Sequence, residues 1–170
     1  MPVPLPIETV RLTIRRFAVE ADSDAMLSVY GDPEVMRFIP GGALPNVEAV
    51  RALLTEYTEA QCERGFSSWA VVERESGRII GDAGFGIFEP TRDVELGYTL
   101  SQDAWGHGFA TEAASACLAA GLAHLDAPRI IAVVDEENAA SLHVAERLGM
   151  KRREKIEAHG RPHVVFSLQR

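Results

Sequence analysis

The sequence predicts one mixed α/β domain, and three observations carry that prediction. RLTIRRF (11–17) and DVELGYTL (93–100) alternate apolar and polar side chains, the period-two pattern of strands covered on one face. Ala114, Cys117, Leu118, Gly121, Leu122 and Leu125 instead recur at i, i+3, i+4, i+7, i+8 and i+11, the stripe of a helix packed on a sheet. Between these patterns lies WGHGFATEA (105–113), a glycine-rich turn that delivers a strand into a helix. A chain of 170 residues suits a single domain, 1–170, with one buried core.

The opening strand (11–17) leads into a helical segment from about Asp22. Asp32 and Pro33 form an N-cap and first-turn pair, predicting a short helix through Val35 and Phe38 that Pro40, Gly41 and Gly42 end. Asn46 caps the next helix, whose Val47, Val50, Leu54 and Tyr57 share a face. SSWAVVE and RIIGDAGFGIF are then two β-rich runs joined by a turn at Glu75, Ser76 and Gly77. In the next strand, 93–100, Val94, Leu96 and Tyr98 point one way and Glu95, Gly97 and Thr99 the other, unless a bulge intervenes near Gly97. Pro128 stops the helix after the glycine loop, RIIAVV (129–134) reads as a buried strand, and a helix from about Ala139 to Leu148 ends at Gly149. Strands near 151–158 and 163–169 close the chain.

Composition narrows the function classes. Hydrophobic residues make up 46% and charged residues 25%, ordinary globular usage without low-complexity tracts. A net charge of −8 with no Lys/Arg cluster argues against nucleic acid as a partner. The start MPVPLPIETVRL is no signal peptide and no run of about 18 apolar residues occurs, so a soluble, cytoplasmic protein without membrane contact is expected. Cys62 and Cys117 stand in helical patterns without metal-ligand spacing, which predicts two core thiols and neither disulfide nor metal. His124, His143, His159 and His163 show no shared ligand spacing either.

A glycine turn at a helix start aims free backbone N–H groups and the positive end of the helix dipole at one point, which suits phosphate or pyrophosphate. Gly106 and Gly108 permit close approach and His107 offers a donor at the rim, although an ordinary strand-to-helix turn has the same pattern. The chain lacks the Gly-Lys-Ser/Thr of a P-loop, and Thr111 stands where a dinucleotide fingerprint places its third glycine.

Taken in order, ETVRLTIRRF, YGDPEVMRFIP, GRIIGDAGF, VELGYTL, WGHGFATEA and NAASLHVAERLGM resemble the GNAT N-acetyltransferase superfamily. They look most like its RimJ/RimL-like branch, the ribosomal-protein N-terminal Ala/Ser acetyltransferases and their relatives, over about residues 8–168. The resemblance implies a mostly antiparallel sheet of about seven strands, splayed at the fourth and fifth strands and flanked by about four helices. It implies acetyl-CoA as co-substrate, no metal, and an amine acceptor, either a peptide N-terminus or a small molecule. The family's loop pattern is Gln or Arg, two residues, Gly, one residue, then Gly or Ala; Trp105, Gly108 and Ala110 occupy those positions. Trp105 departs from the superfamily pattern but is usual in this branch. Trp105, Gly106, His107, Gly108, Phe109, Ala110 and Thr111 then form the pyrophosphate loop, with amides from His107 to Thr111 as donors, while Leu100 pairs with the pantetheine arm.

Acetyl transfer from a thioester to an amine requires a neutral amine, a stabilised oxyanion and a proton for the departing thiolate. Glu95 lies just before Gly97 on the face away from Val94 and Leu96, where the family often places a carboxylate, so it is the candidate base. A solvent-facing strand glutamate paired to an arginine is the competing reading. Asn138 stands where the family contacts pantetheine, and Ala145 replaces the tyrosine that many members use as acid four residues beyond Ser141. Ser141 is the remaining donor toward sulfur, unless its role is only to satisfy the start of its helix. The 38–42 loop and the 159–163 turn border the acceptor cleft in the family layout. A GNAT-shaped module that binds acyl-CoA without turning it over is the alternative function. Exposed strand edges also suit a homodimer.

Overall fold

The computed structural model describes residues 1–89 and 91–170. Among the described residues eight strands form one mixed sheet: β1 (Ile7–Glu8), β2 (Leu12–Arg15), β3 (Ser68–Glu73), β4 (Ile79–Phe88), β5 (Asp93–Leu100), β6 (Arg129–Asp135), β7 (Lys151–Ala158) and β8 (Arg161–Gln169). The order is β1-β2-β3-β4-β5-β6-β8-β7, antiparallel at every neighbour except β5 and β6, which run parallel. The expected count of seven is one short, because Ile7–Glu8 pairs over only two residues and is too brief for a periodicity signal.

Helices α1 (Val19–Tyr30) and α2 (Val47–Arg64) cover one face of the sheet, and α3 (Phe109–His124) and α4 (Ala139–Arg147) belong to the core on the other. α1 starts three residues before Asp22, because the Asp22 carboxylate reaches back to accept from the Ala18 N–H at 2.8 Å and from Arg15 at 2.8 and 2.9 Å. Asn46 caps α2 through the Ala49 N–H at 2.9 Å. Trp69, almost fully buried, packs edge-on against Phe85 and donates its indole N–H to Gln61 at 2.7 Å. Its role is therefore core packing. Gly121 lets α3 lie close to the sheet: a Cβ there would sit 2.5 Å from the Phe85 ring.

Two expectations need correction. Residues 33–38 form successive turns and no helix; Met36 N–H reaches the Asp32 carbonyl, but the Ile39 N–H closes only to Met36. The Asp32 carboxylate accepts from the Glu34 N–H at 2.9 Å, an arrangement common to turns and helix starts, and Pro40 with two glycines prevents propagation. Cys62 is exposed while Cys117 is buried. On α2 the inward positions run Val50, Leu54 and Gln61, and Cys62 lies about 100° further round.

Candidate active site

The site arises where two parallel strands part. β5 and β6 pair only at Val94 with Ile130 and Glu95 with Ile131, and beyond Glu95 the strands diverge. β5 meanwhile keeps a continuous register with β4 from Phe88/Asp93 to Gly81/Leu100, so no bulge interrupts that pairing at Gly97. The result is a V-shaped gap walled by Gly97–Leu100 on one side and Ala132–Val134 on the other, part of a cleft of about 740 Å³ that passes between the faces of the sheet.

The glycine loop closes one end. Gly106 and Gly108 take the left-handed conformation at φ +76° and +79°, where a Cβ is strained, and Gly108 is the N-cap of α3. Among the described residues no side chain caps the first turn of α3, which leaves its N–H groups without a side-chain partner. Trp105 is 47% exposed and anchored by its indole N–H to the Leu100 carbonyl at 2.9 Å. Leu100, Trp105, Gly106, Gly108, Ala110 and Thr111 all line the cleft. Phe109 touches it too but is mainly a core residue, and the exposed His107 ring leans on Phe109 at 5.8 Å and is not among the lining groups.

Arg11 braces this loop, a role sequence reasoning missed. Its guanidinium donates to the His107 carbonyl at 2.7 Å and to Glu112 at 2.7 Å, and lies 4.4 Å from the Phe109 ring centre. The second Glu112 oxygen accepts from the Thr9 hydroxyl at 2.6 Å and the Arg11 backbone N–H at 2.9 Å. The one available signal is an acid in the first turn of a helix, which reads equally as a surface residue complementing the dipole.

Glu95 sits at the apex of the V, half-buried and without an ion-pair partner among the described residues. Burial pushes its carboxyl up to about 7, with the Val133 backbone amide opposing the rise. An arginine-paired surface glutamate is therefore not what the fold contains. Across the gap, Asn138 accepts from the Ser141 N–H at 3.2 Å, so the cap of α4 comes from Asn138 and not from the Ser141 hydroxyl. Tyr98 donates to the Ser141 carbonyl at 3.4 Å, joining β5 to α4 over the cleft. Asn138 and Ser141 line the same cavity as Glu95.

At the opposite end the cavity turns toward α1 and α2. Phe38, Ile39 and Pro40 from the turn segment and His159 and His163 from the β7–β8 hairpin line its mouth. Asp82, on β4 opposite Thr99, lines its inner wall and bonds to the Tyr30 hydroxyl. Burial pushes the Asp82 carboxyl up to about 7, with the Tyr30 and Thr99 hydroxyls opposing the rise. Sequence reasoning passed over Asp82; its signal is a carboxylate inside the otherwise apolar run IIGDAGF. Among the described residues no group of His, Cys, Asp and Glu is placed to hold a metal ion, and no helix is long and apolar enough to cross a membrane.

A sheet splayed beside a parallel pair, with a glycine loop and an uncapped helix start at the gap, is the architecture of an acetyltransferase. The family model for the acetyltransferase (GNAT) domain matches residues 11–151, and the chain belongs to that family. The uncharacterized N-acetyltransferase p20 of Bacillus licheniformis is 28% identical over 145 residues, covering 85% of this chain and 81% of its own. The crystal structure of a GNAT-family acetyltransferase from Bacillus anthracis is 26% identical, with a TM-score of 0.84 over 97% of this chain and 98% of that one. The ribosomal L7/L12 alpha-N-protein acetyltransferase RimL in complex with coenzyme A shares the fold, with a TM-score of 0.83 at 16% identity over 97% of this chain and 98% of that one. The protein is an acetyltransferase.

Proposed function

We propose that the protein transfers acetyl from acetyl-CoA directly to a primary amine, either a peptide N-terminus of the Ala/Ser type or a small amine. The carrying observation is Glu95, an unpaired, half-buried carboxylate at the last paired position before β5 and β6 separate. The amides from His107 to Thr111 hold the pyrophosphate of CoA, with Gly106 and Gly108 giving the backbone its shape and Arg11 holding the loop in place. The edge of β5 beyond Glu95, up to Leu100 whose carbonyl Trp105 already holds, offers backbone groups unpaired with β6 to the pantetheine arm, and Asn138 meets the same arm from α4. RimL, which shares this fold, carries coenzyme A.

Glu95, held near 7, takes the proton of the incoming ammonium directly or through one water. The neutral amine attacks the thioester carbonyl and an N–C bond forms; the nitrogen, now cationic, releases its second proton to solvent as the C–S bond breaks, and the thiolate takes a proton from the Ser141 hydroxyl, which solvent restores. The RimJ/RimL-like branch rests on the motifs ETVRLTIRRF, WGHGFATEA and NAASLHVAERLGM.

The test is CoA thiol release across peptides beginning with Ala, Ser, Met or Thr and a panel of small amines. Turnover on either class supports the reading. Acetyl-CoA binding with silence on every acceptor contradicts it and leaves an acyl-CoA-binding module.

A further inference from the structure

The cleft carboxylates fall into two kinds. Asp135 and Glu137 are held by Arg161 at 2.8 and 2.6 Å, and Glu34 faces Arg37 at 3.6 Å. Glu95 and Asp82 line the same cavity and have no Lys, Arg or His ion-pair partner among the described residues. A buried carboxyl without a cation is disfavoured in its charged form, so each gains from a cation brought by a ligand.

The surroundings of Asp82 are suited to one. It is 4% exposed, shares a bond with the Tyr30 hydroxyl, and stands opposite Thr99. Tyr57, Ser68 and Thr99 line the same cavity as Asp82, so a carboxyl and three hydroxyls share its wall. A primary ammonium carries three N–H donors, and a carboxylate with two hydroxyl oxygens can accept all three.

The strip of β4 and β5 between the two carboxyls carries only glycines on that face. Glu95 lies opposite Gly86 and Asp82 opposite Thr99, four residues further along the strands, a separation of ~13 Å between backbone positions. Gly84 and Gly97 face each other there and Gly86 lies opposite Glu95; a Cβ at Gly86 or Gly97 would meet nothing within 4 Å, whereas at Gly84 it would meet the Ser67 carbonyl.

We propose that the acceptor is an elongated diamine or polyamine: one amine reacts beside Glu95 while a second, non-reacting ammonium sits in the chamber of Asp82, Thr99, Tyr57 and Ser68. This rests on the acetyltransferase reading above and names its substrate class. The glycine floor carries the methylene chain, and the arriving ammonium ionises Asp82.

The experiment compares kcat/KM for a series of α,ω-diaminoalkanes with monoamines of equal chain length, in wild type, Asp82→Asn and Thr99→Val, with acetyl-CoA binding as the check of folding. The expected result is a diamine preference that peaks at one chain length, and a loss of roughly 10- to 100-fold in Asp82→Asn that closes most of the gap to the monoamine. Equal use of monoamines or of Ala- and Ser-initiated peptides, or a diamine preference that survives Asp82→Asn, overturns the proposal. If Asp82→Asn fails to bind acetyl-CoA, Thr99→Val is read in its place, with a smaller loss confined to diamines expected and no change overturning the idea. If no acceptor is turned over at all, the acetyltransferase reading of this chain fails separately; calorimetry with the diamines and CoA then decides the chamber, since heat lost in the variant supports it and equal or absent heat overturns it.

Discussion

The two arms of the cleft are built from different materials. The arm assigned to CoA is mostly backbone: two left-handed glycines, the uncapped amides of α3 and the unpaired edge of β5, all within residues 96–111. The arm proposed for the acceptor is side chains from distant segments, with Tyr57 on a helix, Phe38 in a turn, Asp82 and Glu95 on strands and His163 on the last hairpin. Backbone chemistry recognises what every member of a family shares, while side chains drawn from five segments can change without disturbing the donor.

The sharpest way to break this comparison is at the apex. Glu95→Gln is expected to lower turnover by roughly 100- to 10,000-fold at neutral pH, with acetyl-CoA affinity retained. In the wild type, activity should rise with pH through about 7, because the raised Glu95 carboxyl must lose its proton to act as base. Rapid-quench turnover between pH 5.5 and 8.5 checks both, and an unchanged profile in the variant removes Glu95 from the mechanism.

Ser141→Ala comes next, with an expected fall of about tenfold or more in turnover and little effect on the stability of α4, whose cap is Asn138. A smaller fall in single-turnover rate means that water protonates the thiolate. Gly108→Val acts on the donor arm alone. A β-branched residue at φ +79° costs ~1–2 kcal/mol of backbone strain, which should raise KM for acetyl-CoA about tenfold and leave KM for the amine unchanged. Two-substrate kinetics that show both constants rising together would contradict separate arms.

The smallest effect concerns stability. Asp82 titrates near 7 in the folded chain against ~3.9 when unfolded, so between these values the native state keeps a proton that the unfolded state has released. Its contribution is full below about pH 4 and is lost as pH rises to about 7. The Tm of Asp82→Asn minus that of wild type should therefore grow more positive across this window, whereas the lowered carboxyls Asp22 and Glu112 act alike in both proteins. A difference that stays flat with pH rejects the assignment.

Legibility in the sequence follows the same division. The donor arm is contiguous, so WGHGFATEA with the alternation of DVELGYTL located both loop and apex. Asp82 was illegible because its burial depends on Tyr30, fifty-two residues away, and no local period reports that contact. Asp32 and Pro33 misled because a cap signal starts turns as readily as helices, and Cys62 because a cysteine just off an apolar stripe looks like part of it. Arg11 and Glu112, 101 residues apart, were hidden for the reason that hid Asp82.

The most direct test of the two-arm account is a crystal structure of the chain with coenzyme A. The expected density has pyrophosphate oxygens on the amides of His107 to Thr111, pantetheine in the gap beyond the Glu95 and Ile131 pair, and the thiol between Glu95 and Ser141. Pyrophosphate bound away from this loop, or a thiol remote from Glu95, would contradict it.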